Sequence, residues 1–118
     1  MTRQLTTHVL DTARGLPAAG VLVEAHLMRG DDRTPVGRAI TNAQGRTDAP
    51  LVGSDRFERG VYELTFHFGE YFRRVGAPLS DPPFLDRVVI RVGVADPAAG
   101  YHIPVLISPY GYVTYRGT

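Results

Sequence analysis

Cysteine and lysine are both missing from this 118-residue chain. Without cysteine there are no disulfide staples, no thiolate nucleophile and no thiolate metal site. Without lysine, all 13 basic residues are arginine, which excludes Schiff-base chemistry and a phosphate-loop lysine. Serine occurs only at Ser54, Ser80 and Ser108. None of them sits in a Gly-x-Ser-x-Gly elbow, so serine nucleophile chemistry lacks its usual platform. There is no glycine-rich phosphate loop and no His-Glu-x-x-His. No apolar run is long enough for a membrane helix. Charge of either sign is nearly balanced, 13 basic against 12 acidic residues, and gives no reason to expect nucleic acid or an anionic membrane as partner.

What is present suits one soluble domain over residues 1–118, with an ordinary 43 % hydrophobic and 21 % charged composition. Met1-Thr2-Arg3-Gln4-Leu5 runs straight into an alternating segment and leaves no room for a signal peptide. The end, Arg116-Gly117-Thr118, is not a peroxisomal address. The expected location is therefore the cytoplasm.

Thirteen glycines and nine prolines cut the chain into short pieces, the pattern of an all-β sandwich or barrel. Leu5 to Asp11 alternates Leu5, Thr7 and Val9 against Thr6, His8 and Leu10. Asp11 to Gly20 reads as a loop. Val21 to Met28 sets Val21, Val23, Ala25 and Leu27 against Glu24 and His26. Gly30-Asp31-Asp32 is a turn before a strand from about Thr34 to Thr41. Asn42-Ala43-Gln44-Gly45 fits a type I turn with a left-handed closing residue, after which Arg46 starts a strand. In Val61 to Phe68, Tyr62, Leu64, Phe66 and Phe68 point inward, and Glu63, Thr65 and His67 outward. Gly69 to Gly76 suits a short helix, and Pro78 to Pro83 a loop. Val88, Ile90, Val92 and Val94 line one face of the next strand, and Asp96 to Gly100 is a turn. Tyr101 to Ser108 alternates again, and Pro104 within it favours an edge position or a bulge. Tyr112 to Arg116 is a last short strand. The total is seven or eight strands and at most one short helix.

The polar side chains on strands are what remain for chemistry. His8 and His102 lie on strand faces, and Arg46 follows a tight turn. Neutral imidazole is the natural base near pH 7, and arginine is a permanent cation suited to a developing oxyanion. Together they could run a water-dependent opening of an acyl or imide bond, although the sequence does not place them together. The plain reading of each is a solvated strand histidine or a surface charge of little worth to stability, and His26 and His67 keep that reading. A two-histidine zinc site lacks a convincing third ligand. Tyr110, Tyr112 and Tyr115 crowd the chain end. That suggests either a packed tail or interface, or simply a strand completing the sandwich.

Leu5-Thr6-Thr7-His8-Val9-Leu10-Asp11 with Gly15-Leu16-Pro17-Ala18 resembles the N-terminal signature of the 5-hydroxyisourate hydrolases, the transthyretin-like proteins of purine catabolism. The segment Tyr101 to Thr118, YHIPVLISPYGYVTYRGT, resembles their C-terminal signature. Asn42 to Asp48 is similar to the segment carrying the family's arginine. Gly69-Glu70-Tyr71-Phe72 and Pro83-Phe84 are similar to the stretches near its short helix.

The resemblance spans the whole chain and implies a transthyretin-like β-sandwich of two four-stranded sheets with one short helix. It implies a homotetramer, a dimer of dimers, with active sites in the channel between dimers. The implied reaction converts 5-hydroxyisourate to 2-oxo-4-hydroxy-4-carboxy-5-ureidoimidazoline in urate degradation, without metal or organic cofactor. His8, Arg46 and His102 match the family's catalytic histidine, arginine and histidine. Tyr115, Arg116, Gly117 and Thr118 match its terminal tetrapeptide and, with Ser108, are the expected substrate-binding residues. The chain departs from the family at Thr118, where serine is usual, and at Gly100, where histidine is usual. A small-ligand carrier, as transthyretin is, and a structural interaction module are the other readings. The ionisable set argues against the carrier, since an apolar hormone channel has no use for it.

Overall fold

The computed structural model describes residues 3–118. The expected lead-in through Met1 and Thr2 lies outside the described residues. The elements are β1 (Leu5–Asp11), β2 (Leu16–Pro17), β3 (Leu22–Arg29), β4 (Asp32–Ile40), β5 (Gly60–His67), α1 (Phe68–Arg74), β6 (Arg87–Val94), a 3-10 turn (Pro97–Ala99), β7 (Tyr101–Ser108) and β8 (Gly111–Thr114). They form two four-stranded sheets, ordered β2-β1-β7-β8 and β4-β3-β5-β6. These two four-stranded sheets and, among the described residues, one short α-helix are what the resemblance implies.

The period-2 alternation does the work. In β1, Leu5, Thr7, Val9 and Asp11 are buried and the residues between them half-exposed. Val23, Ala25 and Leu27 of β3 and Tyr62, Leu64 and Phe66 of β5 face them across the interior from the other sheet, and Val105 and Ile107 of β7 lie beside them in their own sheet. The two polar residues that β1 buries are satisfied. Thr7 donates to the Ile103 carbonyl at 2.7 Å. Asp11 accepts from the Ala13 and Arg14 amides and, at 2.7 Å, from the Tyr71 hydroxyl. Asp11 thereby ties α1 to the first sheet.

β1 and β7 run parallel, Thr6 opposite His102 and His8 opposite Pro104. The other pairings are antiparallel.

Several local expectations give way. The Asp11–Gly20 loop contains the two-residue β2, which pairs with the end of β1. β4 already begins at Asp32, inside the expected turn. Phe68 opens α1 instead of ending β5, yet its ring stays buried. Thr65 and His67 are buried, not exposed: Arg33 reaches Thr65, and Glu24 sits on His67. Arg46 starts no strand and makes only an isolated bridge to His8.

Pro104 is not on an edge strand, because β7 lies between β1 and β8. Its effect shows in the ladder. The β7–β8 pairing stops at Val105–Thr114 and returns only as a bridge between His102 and Gly117. In that register Tyr115 falls opposite Pro104, which has no N–H to give. The last strand therefore ends at Thr114 and not at Arg116.

Candidate active site

The outer face of the first sheet brings His8, Arg46 and His102 together. His8 and His102 project from adjacent parallel strands, two residues apart in register. Strand spacing and rise set their backbones about 8 Å apart. Arg46 arrives from the Asn42–Gly45 turn. The Asn42 side chain accepts from the amides of Gln44 and Arg46 at 3.0 and 3.1 Å, and the Gly45 amide donates to the Asn42 carbonyl at 2.9 Å. Gly45 has φ 76°, and a Cβ there would stand 2.2 Å from the Val9 carbonyl oxygen. Only glycine allows this turn to dock on β1, where the Val9 amide donates to Gly45 at 2.8 Å. Docking sets Arg46 beside His8.

The hydrogen bonds fix both rings. His8 Nε2 lies 2.9 Å from the Gln44 carbonyl oxygen. A carbonyl only accepts, so His8 Nε2 carries a proton. His102 Nδ1 lies 2.8 Å from the Thr6 hydroxyl oxygen. Burial, and after it the charges of Arg46 and His8, push the His102 imidazole below its ordinary 6.5. Among the described residues, none of the three is in an ion pair. A polar cleft of about 330 Å³ adjoins Arg46, lined also by Gln4, Thr6, Thr47, Asp48 and Pro50. The arrangement joins an imidazole whose charged form is disfavoured by its surroundings to a guanidinium unpaired among the described residues, which suits water attack on a carbonyl. Among the described residues no group of three or more His, Cys, Asp or Glu side chains could hold a metal.

The tail divides. Gly117 lies on the site: its amide donates to the His102 carbonyl at 2.8 Å, and a Cβ would come within 2.6 Å of the His102 ring. Thr118 follows it, exposed. Arg116 turns away, its guanidinium 3.9 Å over the Tyr101 ring and one nitrogen donating to the Gly100 carbonyl at 3.3 Å. Tyr115 is exposed and, with Arg116, lines an apolar cleft of about 240 Å³ against Tyr101, Ile103, Ile90 and Val92. Ser108 donates to the Gly111 carbonyl in the β7–β8 turn. It stands six residues along β7 from His102, about 20 Å at the rise of a strand. Within one chain, Ser108, Tyr115 and Arg116 therefore do not join the three ionisable residues.

Sequence reasoning passed over Thr6 and the Gln44 carbonyl. Alternation had put Thr6 on the face of His8. The missing piece was the parallel β1–β7 pairing, a contact 96 residues apart along the chain.

The model of the HIUase/Transthyretin family matches residues 5–117. The chain belongs to that family. Its HIUase/Transthyretin relatives include a 5-hydroxyisourate hydrolase of Deinococcus radiodurans, 54 % identical over 97 % of this chain and 95 % of that protein. Among solved structures, an (S)-allantoin synthase superposes with TM-score 0.91 at 41 % identity. The match covers 98 % of this chain but 43 % of that one, so the fold here corresponds to part of a longer protein there. Transthyretin from Sparus aurata superposes with TM-score 0.85 at 25 % identity, covering 97 % of this chain and 96 % of its own. Among the described residues of this family member, no helix is long and apolar enough to cross a membrane.

Proposed function

We propose that the chain hydrolyses 5-hydroxyisourate to 2-oxo-4-hydroxy-4-carboxy-5-ureidoimidazoline, in cytoplasmic urate degradation, with His8, Arg46 and His102 as the reacting set. At 54 % identity to a 5-hydroxyisourate hydrolase over nearly its whole length, the chain is a hydrolase of that kind. The observation that carries the residue assignment is the unpaired Arg46 beside two imidazoles on one sheet face.

A histidine takes a proton from water, and the water oxygen bonds to the ring carbonyl carbon next to nitrogen. The carbonyl electron pair moves onto oxygen, where Arg46 stabilises it. The pair then returns, the carbon–nitrogen bond breaks, and the leaving nitrogen takes the proton from the imidazolium. The immediate products are an N–H and a carboxylic acid, which loses its remaining proton to solvent as a carboxylate. General base catalysis of this kind contributes about 10²–10⁴-fold.

Tyr115, Arg116, Gly117, Thr118 and Ser108 are assigned to substrate binding in a homotetramer, a dimer of dimers with its sites between dimers. Supporting this, the face that carries the site also exposes Val113, and Leu16 and Tyr115 lie exposed at its margins, the kind of apolar surface that an interface covers. Light scattering should give four chains per particle, and a monomer would remove the channel. The reaction needs no metal, so dialysis against chelator should leave the rate unchanged. Loss restored by zinc would overturn that point.

The test of function is direct. Freshly prepared 5-hydroxyisourate is mixed with the protein and its ultraviolet absorbance followed. Decay much faster than the spontaneous rate is expected, and decay at the spontaneous rate sinks the reading. A carrier would bind the compound without consuming it.

A further inference from the structure

We propose that Thr6 is a positioning residue that fixes the His102 ring with its proton on Nδ1 and leaves Nε2 as the free base of the site. The inference deepens the hydrolase reading and rests on it for its kinetic part.

Thr6 and His102 are directly paired in the parallel β1–β7 register, so their side chains stand side by side on one face. The Thr6 hydroxyl oxygen is 2.8 Å from His102 Nδ1 and also lies near the Tyr101 carbonyl, at 3.5 Å. That carbonyl can only accept, so it gives the single hydroxyl proton a direction. The oxygen's lone pair is then free for Nδ1–H. Which nitrogen of a neutral imidazole holds the proton is set by the bond the other makes. With Nδ1 donating to Thr6, Nε2 keeps its lone pair.

The same arrangement serves the charged form. When Nε2 takes a proton, Nδ1 still needs an acceptor, and Thr6 still provides one. His8 is held in the opposite sense, since its Nε2 donates to the Gln44 carbonyl. The two histidines are thus inequivalent, and His102 presents the nitrogen that faces away from its own strand partner. Gly117 closes the other side of the ring, because only a residue without Cβ fits against it.

The experiment compares Thr6→Val, which keeps β-branching and removes the hydrogen bond, with Thr6→Ser, which keeps the hydroxyl. Two quantities are read: the ¹⁵N shifts of the His102 ring, assigned by their loss in His102→Gln, and steady-state kinetics on 5-hydroxyisourate. Wild type should show Nδ1 protonated and Nε2 bare. Thr6→Val should move population to the Nε2–H form and lower kcat about tenfold, the lower end of what a misplaced base costs, with KM within about twofold. Thr6→Ser should restore both. A Thr6→Val protein whose Nδ1 stays protonated overturns the assignment, whatever its rate, and so does one with full kcat. If wild type does not consume 5-hydroxyisourate, the hydrolase reading falls. The ring shifts, which need no substrate, then decide the Thr6–His102 pairing alone.

Discussion

The two outer faces of the sandwich carry similar residues and do different things with them. On the second sheet, two histidines stand among acids and arginines that neutralise one another. His67 Nε2 meets Glu24 at 2.7 Å, Arg33 donates to His26 at 3.3 Å, and Glu63 pairs with Arg91 at 3.1 Å and with Arg33 at 3.8 Å. On the first sheet, two histidines and Arg46 face outward and, among the described residues, no carboxylate pairs with them. There the rings are held by a backbone carbonyl and a hydroxyl, partners that orient without cancelling charge. Residue type alone does not make a site. What sets the first face apart is a guanidinium that, among the described residues, is left unpaired beside two imidazoles.

Removing that cation is the sharpest way to break the comparison. Arg46→Ala should lower turnover at least about tenfold, from loss of oxyanion stabilisation. Arg33→Ala, on the other face, should leave the rate near wild type. Equal losses in assays of both variants would erase the distinction between the faces.

The tail comes next in size. Gly117→Ala places a methyl 2.6 Å from the His102 ring, so ring or tail must shift. A fall of several-fold in kcat is expected, since small misplacements of a base are costly. Deleting Tyr115 to Thr118 should remove most activity while thermal melts change little, because these residues lie beyond β8 and outside the core. A truncated protein turning over at the full rate would make the tail merely structural.

A smaller effect concerns pH. His102 is pushed below 6.5 first by burial and then by Arg46 and His8. A base acts only when deprotonated, so kcat should be level at neutral pH and fall as pH drops through a midpoint below 6.5. The lowered value places the loss on the acid side. A midpoint above 6.5 in the pH–rate profile would contradict it. In ¹⁵N titrations, Arg46→Gln should move the His102 midpoint upward.

The smallest effect is on the second face. Glu24→Gln breaks the pair with His67, and Glu24 is about one-third exposed, so solvent already weakens that pair. The melting temperature should drop by no more than about 4 °C, the shift of about 1 kcal/mol in a domain of this size, with the rate unchanged. A large rate loss would mean that the two faces are coupled.

Much of this was legible in the sequence, for local reasons. Alternation in Leu5–Asp11, Leu22–Arg29 and Tyr101–Ser108 declares strands and their buried faces. Asn42 to Gly45 declares its turn through an Asn side chain and a left-handed glycine. The resemblance supplied His8, Arg46 and His102 as a set. What stayed hidden is non-local. Nothing near Thr6 says that it lies opposite His102, because the pairing of β1 with β7 joins the two ends of the chain. Pro104 signalled a fault in the ladder but not which ladder. His67 reads as an outward residue by alternation, and only the fold shows Glu24 covering it. β2 is two residues long and has no period to read.

The central claim is that one face reacts and the other does not. Initial rates of 5-hydroxyisourate consumption for His102→Gln and His67→Gln, measured on folded protein in the same buffer, test it most directly. The account predicts a loss of at least about tenfold for His102→Gln and a rate within about twofold of wild type for His67→Gln. A fully active His102→Gln enzyme, or a larger loss for His67→Gln, would contradict it.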